Sequence, residues 1–421
     1  MPSDQYAVSA ARQVEPRLLP VILALGATQV IGYGTLYYAF AILVPAVARE
    51  FAASTTTLYA VFSVGLLAGG LAAPQLGAWM DRHGAPRIMA AGSLVTAMLV
   101  AGLAAAPSLP VFAALVIAIE VVGVAVLYDA AFATLAFLGR AGARRAITHL
   151  TLIAGFASTL FWPLTGWAVE AVGWRATYGI FAALHLLVAL PLHGWIATRP
   201  RHPGADGPAE ATRLQAGAPL TGRAAREAFW SVAASFALTG VLTAALTVHL
   251  VPVLQALELG AAAYLVAMLM GPAQVLIRLV DALFWRGLHP LTVALVSAAA
   301  LPAAILVLVL PVDPVAAGAA FAVLFGLGAG LSSIVRGSVP LALFGAAGYG
   351  ARLGQLAAIR TMLGAGAPFL FAAGLEAFGA TTALVAALLV GLAALLPLGL
   401  LHRRVVEGPR MAGAATTGPT E

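Results

Sequence analysis

Cysteine is absent from the 421 residues, so neither a disulfide nor a thiolate metal site can form in this chain. Lysine is absent too, and all 22 Lys-or-Arg positions are arginine. Without lysine there is no phosphate-binding loop of the Gly-x-x-x-x-Gly-Lys-(Ser/Thr) type, which excludes ATP drive through such a loop. Charge of either sign is scarce. Only 9% of residues are charged, against roughly 25% in a soluble domain. No polar stretch is large enough for a soluble catalytic domain. Neither His-Glu-x-x-His nor Gly-x-Ser-x-Gly occurs, so nothing marks an intramembrane enzyme either.

What fills the chain is apolar. It is 62% hydrophobic, with a mean hydropathy of +0.99, the composition of an integral membrane protein. About twelve apolar stretches of spanning length can be drawn, centred near Gly32, Leu67, Met98, Val122, Leu160, Leu186, Gly240, Met270, Ala300, Gly326, Gly364 and Val390. The first comes after a polar N-terminus and shows no small-residue cleavage site, so it reads as a retained helix rather than a signal peptide. The one long polar segment, rich in Pro, Gly and Arg, lies near the middle and reads as a flexible linker. The expected organisation is a tail over 1–17, a six-helix bundle over 18–198, a linker over 199–228, a second bundle over 229–402 and a tail over 403–421.

Arginine placement orients the chain. With the N-terminus inside, seventeen arginines fall on the cytoplasmic side and two, Arg49 and Arg175, outside. Both termini are therefore expected in the cytoplasm. The arginine-only, Ala- and Gly-rich composition points to a bacterial inner membrane. The net charge of +6 is scattered over short loops and does not indicate nucleic-acid binding. The halves also echo each other. Glu170-Ala171-Val172-Gly173 and Glu376-Ala377-Phe378-Gly379 are offset by 206 positions, as are Gly65 and Gly271.

The most informative stretch runs from Gly65 to Arg87. Gly65, Gly69 and Ala73 lie four apart and make a face that another helix can approach closely. A short charged loop is expected after Gly77, carrying Asp81, Arg82, Gly84 and Arg87, before apolar sequence resumes at Ile88. At these residues the chain resembles the major facilitator superfamily of secondary transporters. Its signature is Gly-x-x-x-Asp-Arg-x-Gly-x-(Arg/Lys)-(Arg/Lys). Gly77, Asp81, Arg82, Gly84 and Arg87 match, and Pro86 replaces one basic residue. The resemblance implies an all-α membrane protein with twelve transmembrane helices in two six-helix pseudo-repeats. It implies that this loop gates the cytoplasmic side, with Asp81 accepting hydrogen bonds from helix-end amides or an Arg. Local patches, Gly155–Thr159 with Pro163 and Gly166 then Gly173-Trp174-Arg175, and Gly271–Val275 with Arg278 then His289-Pro290, are similar to copper-importer and riboflavin-importer branches and more distantly to monocarboxylate transporters. Trp162 stands where the antiporter motif of the fifth span wants Gly, so antiport is not supported.

Ionisable groups within a bilayer are functional candidates by default. Glu120 is the deepest, about 15 Å into the fourth span, where desolvation disfavours the carboxylate and suits it to binding and releasing a proton. Asp129 comes later on the same span. In the resembled fold, Asp129 and Arg336 of the tenth span can meet across a central cavity, or each can snorkel locally. Arg278 and Asp281, three apart on the eighth span, read either as a structural pair or with Arg278 holding a substrate carboxylate. Gln29, Tyr33 and Tyr37 fall at i, i+4 and i+8 and share an expected face; Gln274 is mid-span in the eighth helix. These could line a pocket or pack polar tips between helices. A Cu(I) site is the sharper alternative, from His249, Met268 and Met270, but no Met-x-x-x-Met occurs and Val253 stands after His249 at the copper spacing. The expected protein is a proton-coupled secondary transporter of a small solute, with an organic anion as first guess. It is expected to work as a monomer, without cofactor or resident metal. A copper or riboflavin-type importer and a non-transporting sensor are the alternatives.

Overall fold

The computed structural model describes residues 18–138, 143–199, 219–260, 262–285, 287–310 and 313–407. The tail over 1–17, most of the linker, the end of the C-terminal tail, and Arg140 and Arg286 of the arginine count lie outside the described residues. All regular structure among the described residues is helical. In hydrocarbon each backbone N–H and C=O must be bonded within the protein, and a helix does this within one segment.

The described residues form two compact units, one from Met1–Leu214 with Gly345–Ala358, the other from Gln215–Phe344 with Ile359–Glu421. In the first, span 1 runs through α1 (Leu19–Gly32), a π-helical turn (Tyr33–Tyr38) and α2 (Ala39–Glu50). Span 2 is α3 (Thr55–His83) and span 3 is α4 (Ala85–Ala104). Span 4 is discontinuous, with α5 (Leu109–Gly123) separated from α6 (Tyr128–Leu138). Then come α7 (Ala143–Ala154), α8 (Ala157–Leu184), a second π turn (His185–Ala189) and α9 (Leu190–Ala197). The second unit holds α10 (Gly222–Ala256), α11 (Ala262–Ala267), α12 (Met270–Phe284), α13 (Pro290–Val309) and α14 (Pro314–Phe344). After α15 (Tyr349–Ala365), which starts in the first unit, α16 (Ala367–His402) closes the chain of α-helices.

Ten of the described helical segments are long and apolar enough to cross a membrane. The two remaining stretches, near Leu160 and Gly364, are each broken into pieces. The former is α7 plus the start of α8, interrupted at Gly155 and Phe156; the latter is α15 plus the start of α16, interrupted at Gly366. Each then runs directly into the next span through a glycine. Gly173 has φ 79°, ψ 166°, and Gly379 has φ 79°, ψ 169°. This region is essentially closed to residues with a Cβ. The sequence echo at an offset of 206 is thus a repeat of backbone geometry as well as of residue type.

Each unit buries its own apolar core. In the first, Phe40, Leu43, Phe112, Val116, Trp174 and Phe181 pack together; in the second, Leu246, Leu254, Phe321, Phe325 and Leu384 do. Large apolar side chains also remain outside, among them Leu187 at 70% and Phe378 at 72% exposure. On a chain that spans a bilayer, such surfaces face lipid.

Candidate transport and gating sites

The signature stretch differs from its sequence reading. The helix does not stop at Gly77. It continues through Asp81 to His83, and the connection to α4 is Gly84 alone, at φ 89°. Its N–H reaches the Met80 carbonyl at 2.9 Å and closes the helix. Positive φ at this position favours glycine. Pro86 sits in the first turn of α4, where the missing N–H costs nothing, which is why it is tolerated in place of the expected basic residue.

Gly77 and Asp81 act together on the start of α15. A Cβ at Gly77 would fall 2.2 Å from the Gly350 carbonyl oxygen, and one at Gly354 2.2 Å from that of Ala73. Glycine thus lets the two helices touch backbone to backbone. The approach brings the Asp81 carboxylate onto two orphan amides: Gly350 N donates at 2.9 Å and Ala351 N at 2.8 Å. A carboxylate at a helix N-terminus satisfies free donors and complements the helix dipole. Arg82 and Arg87 line an adjacent cleft of about 440 Å³ with Arg199.

Small residues perform the same service one turn at a time along α3. A Cβ at Gly65 would lie 2.9 Å from Glu120 Cγ, and one at Gly69 2.7 Å from the Glu120 carbonyl oxygen. Span 4 therefore lies flush against span 2 at Glu120. The carboxyl makes no hydrogen bond among the described residues and borders a cavity of about 10 Å³ shared with Thr35, Phe62 and Tyr178. Asp129 is not further along the same helix, as the sequence suggested. The chain unwinds after Gly123, and Asp129 enters the first turn of a new helix, α6. Beside this break Gln29, fully buried, donates from Nε2 to the Val126 carbonyl at 2.8 Å. Discontinuous membrane helices need such partners for the carbonyls they release.

The expected shared face of Gln29, Tyr33 and Tyr37 is not what forms. The π turn over Tyr33–Tyr38 adds residues per turn and rotates the helix beyond it. Gln29 is buried, Tyr33 packs its ring 4.6 Å from that of Tyr128, and Tyr37 is 46% exposed beside Tyr38 and Phe62.

In the second unit Arg278 and Asp281 are both buried on α12. The Arg278 guanidinium donates through Nε to the Gly330 carbonyl at 3.3 Å and contacts Gln274 Oε1 at 3.5 Å. A Cβ at Gly330 would lie 2.8 Å from the Gln274 carbonyl oxygen. Arg278 and Gln274 therefore sit at a tight crossing of spans 8 and 10. Arg336 on α14 differs: its Nε is buried with no hydrogen-bond partner among the described residues. His249 donates from Nδ1 to the Ala245 carbonyl, 2.9 Å away, while Met268 is 71% exposed and Met270 packs against the core. Among the described residues no cluster of three His, Cys, Asp or Glu side chains suits a metal.

Sequence reasoning missed two groups. The first is a buried polar cluster joining spans 1, 3 and 6 through Thr28, Thr35, Ser93, His185 and His193. Two histidines in one apolar span were the available signal. The second is a clasp joining spans 1, 3 and 6 of the first unit. Arg175 Nη2 lies 2.7 Å from Glu50 Oε1 and 2.8 Å from the Ala106 carbonyl, Nη1 2.9 Å from that of Ala104, and Trp174 Nε1 donates to Glu50 Oε2 at 2.5 Å. The Arg175 guanidinium also lies 4.4 Å from the Trp174 ring centroid. Hydrogen bonding from Arg175 holds the Glu50 carboxyl below its ordinary range.

Comparison with known proteins places this architecture. The family model described as Major Facilitator Superfamily matches residues 26–370. The chain belongs to the Major Facilitator Superfamily. Solved superfamily structures share its fold. The human organic anion transporter MFSD10 (TETRAN) aligns with a TM-score of 0.68 at 18% identity, covering 92% of this chain and 100% of that one. The fucose transporter FucP, in its outward conformation, aligns with a TM-score of 0.68 at 15% identity over 90% of this chain and 98% of that one. The proton:xylose symporter XylE aligns with a TM-score of 0.67 at 12% identity over 89% and 94%. At such identities the likeness is one of fold. No curated protein matches by sequence. This superfamily member is a multi-pass membrane protein with a transporter fold.

Proposed function

We propose that this protein carries a small solute, preferably an organic anion, across a bacterial inner membrane by alternating access coupled to proton movement. Both termini are assigned to the cytoplasm by the arginine asymmetry, and the protein is taken to act as a monomer. The observation that carries the proton-coupled reading is Glu120, a carboxyl without a hydrogen-bond partner, beside a small cavity and against the glycine face of span 2. In this reading the carboxyl takes up a proton on one side of the membrane and releases it on the other as the transport cycle alternates its contact with water. Asp129, at a helix N-terminus next to the break in span 4, is the second proposed acid. Arg336 supports the anion reading, because a buried guanidinium nitrogen without a partner is ready for a carboxylate. Arg278 and Gln274, engaged at the crossing of spans 8 and 10, are assigned a supporting role. Tyr33 and Tyr37 are proposed to lie along the pathway and Gln29 to hold the break in span 4. Gly77, Asp81, Arg82, Gly84 and Arg87 are proposed to form the cytoplasmic gate.

A thermal-shift screen against carboxylates, flavins, amino acids and Cu(I) identifies the substrate class, because a selective binder stabilises the folded state. With that substrate in proteoliposomes, Glu120→Gln should retain exchange across the membrane and lose accumulation driven by a pH gradient. Full gradient-driven uptake by the variant would remove Glu120 from the coupling mechanism.

A further inference from the structure

A second titratable side chain adjoins the Glu120 cavity, and its place there rests on the proton-coupled reading above. Thr35 walls the cavity. Its Oγ1 lies 2.8 Å from the Ile31 carbonyl and 2.8 Å from His185 Nε2. A hydroxyl has a single hydrogen. Thr35 therefore donates to Ile31 while accepting from Nε2–H, or turns and donates to a bare Nε2. His185 is 2% exposed, and its Nδ1 makes no hydrogen bond among the described residues.

His193 provides the contrast. Its Nε2 lies 2.8 Å from Thr28 Oγ1 and its Nδ1 2.5 Å from Ser93 Oγ. Thr28 spends its hydrogen on the Leu25 carbonyl at 3.0 Å, so Nε2 of His193 donates, and in the neutral ring Nδ1 accepts from Ser93. Both ring nitrogens are satisfied, and His193 brackets spans 1, 3 and 6. His185 has capacity left over.

The helices packed on the His185 turn are α1, α4, α8 and α9. Between Leu19 and Tyr38 span 1 offers no ionisable group but tyrosines, and α4 none but Arg87 in its first turn. In α8 the ionisable residues are Glu170, Arg175 and Tyr178, the first two flanking the Gly173 turn; α9 adds only His193. Across the cavity stands Glu120 of α5.

We propose that His185 is the second proton carrier of the Glu120 site, joined to it through Thr35. With His185 as the Nδ1–H tautomer, Thr35 Oγ1 receives the proton of the Glu120 carboxyl through one water in the cavity they both line. The hydroxyl proton of Thr35 passes at the same time to His185 Nε2. Glu120 becomes a carboxylate and His185 an imidazolium, with the total charge of the site unchanged. A purely structural His185 would tie span 1 to span 6 as a neutral ring at every pH.

The test needs no substrate. In ¹⁵N-histidine-labelled protein in nanodiscs, the imidazole signals are tracked through a pH titration, with His185→Gln assigning the His185 resonances. The infrared carbonyl band of protonated Glu120, assigned by its loss in Glu120→Gln, is tracked in parallel. The expected result is a His185 imidazolium signal in the wild type and in Ser93→Ala. That signal is lost in Thr35→Val and in Glu120→Gln and regained in Thr35→Ser, which keeps the hydroxyl. A His185 that stays neutral throughout, or an imidazolium unaffected by Thr35→Val and Glu120→Gln, overturns the proposal. If the Glu120 band titrates in either case, proton coupling through Glu120 survives alone. A Glu120 band that never responds to pH overturns both.

Discussion

Single residues decide the turns and the contact that Asp81 makes with α15. A Cβ at Gly173 would meet nothing within 4 Å, so substitution there tests backbone strain without steric clash. Gly173→Ala should destabilise the protein by about 1–3 kcal/mol, the range for a residue forced into that φ/ψ region. Gly166→Ala, also in open space but inside a helix without positive φ, is the control and should be neutral or slightly stabilising. Melting in detergent measures both. At the proposed gate, Asp81→Asn keeps one acceptor but loses the charge that faces the α15 dipole, costing about 0.3–1 kcal/mol. Transport should fall while substrate-induced thermal stabilisation persists. Wild-type flux in that variant would reduce the loop to a topological stop.

Whole elements are joined by contacts between distant residues. The Glu50–Arg175 clasp ties the end of span 1, through Glu50, to the start of span 6, through Trp174 and Arg175, and Arg175 also holds the end of span 3. Arg175 lowers the Glu50 pKa in the folded state, so linkage sets the sign. The folded protein binds that proton less readily than the unfolded chain. The contribution of Glu50 is complete above its unfolded pKa and is lost as pH falls through the lower folded value. Acidification should therefore lower the melting temperature of the wild type more than that of Glu50→Gln, which has no carboxylate to protonate. Parallel acid profiles of the two would show that the clasp does not depend on charge. Both partners are solvent-accessible, so added salt should weaken the effect.

At the scale of the molecule the orientation is open to a direct test. The chain has no cysteine, so single cysteines report cleanly. Cysteine is best placed at exposed His83 and Ala105, because Gly84 has positive φ. His83→Cys should react with an impermeant maleimide only from the cytoplasmic side and Ala105→Cys only from outside. The reverse pattern would overturn the topology drawn from the arginines. The paired glycine turns at 173 and 379 show that the repeat extends to the way each unit connects its last two spans.

Hydropathy runs, arginine bias, the 206-residue echo and the spacing from Gly77 to Arg87 were legible because each is local or periodic in the chain. They determined the membrane class, the expected topology and the superfamily. The depth of Glu120 came from counting along one span. The partners of these residues were not legible. Asp81 meets amides 269 and 270 positions away, Gln29 a carbonyl 97 away, and His185 a hydroxyl 150 away. A shared face for Gln29 and Tyr37 assumed a regular helix, and one π turn removed it. Asp129 reads as a continuation of the Glu120 helix because apolar sequence does not announce where a helix will unwind. Composition and period record which surfaces avoid water, and so determined what crosses the membrane. Which polar group answers which depends on how the helices pack, and only the tertiary structure decided that.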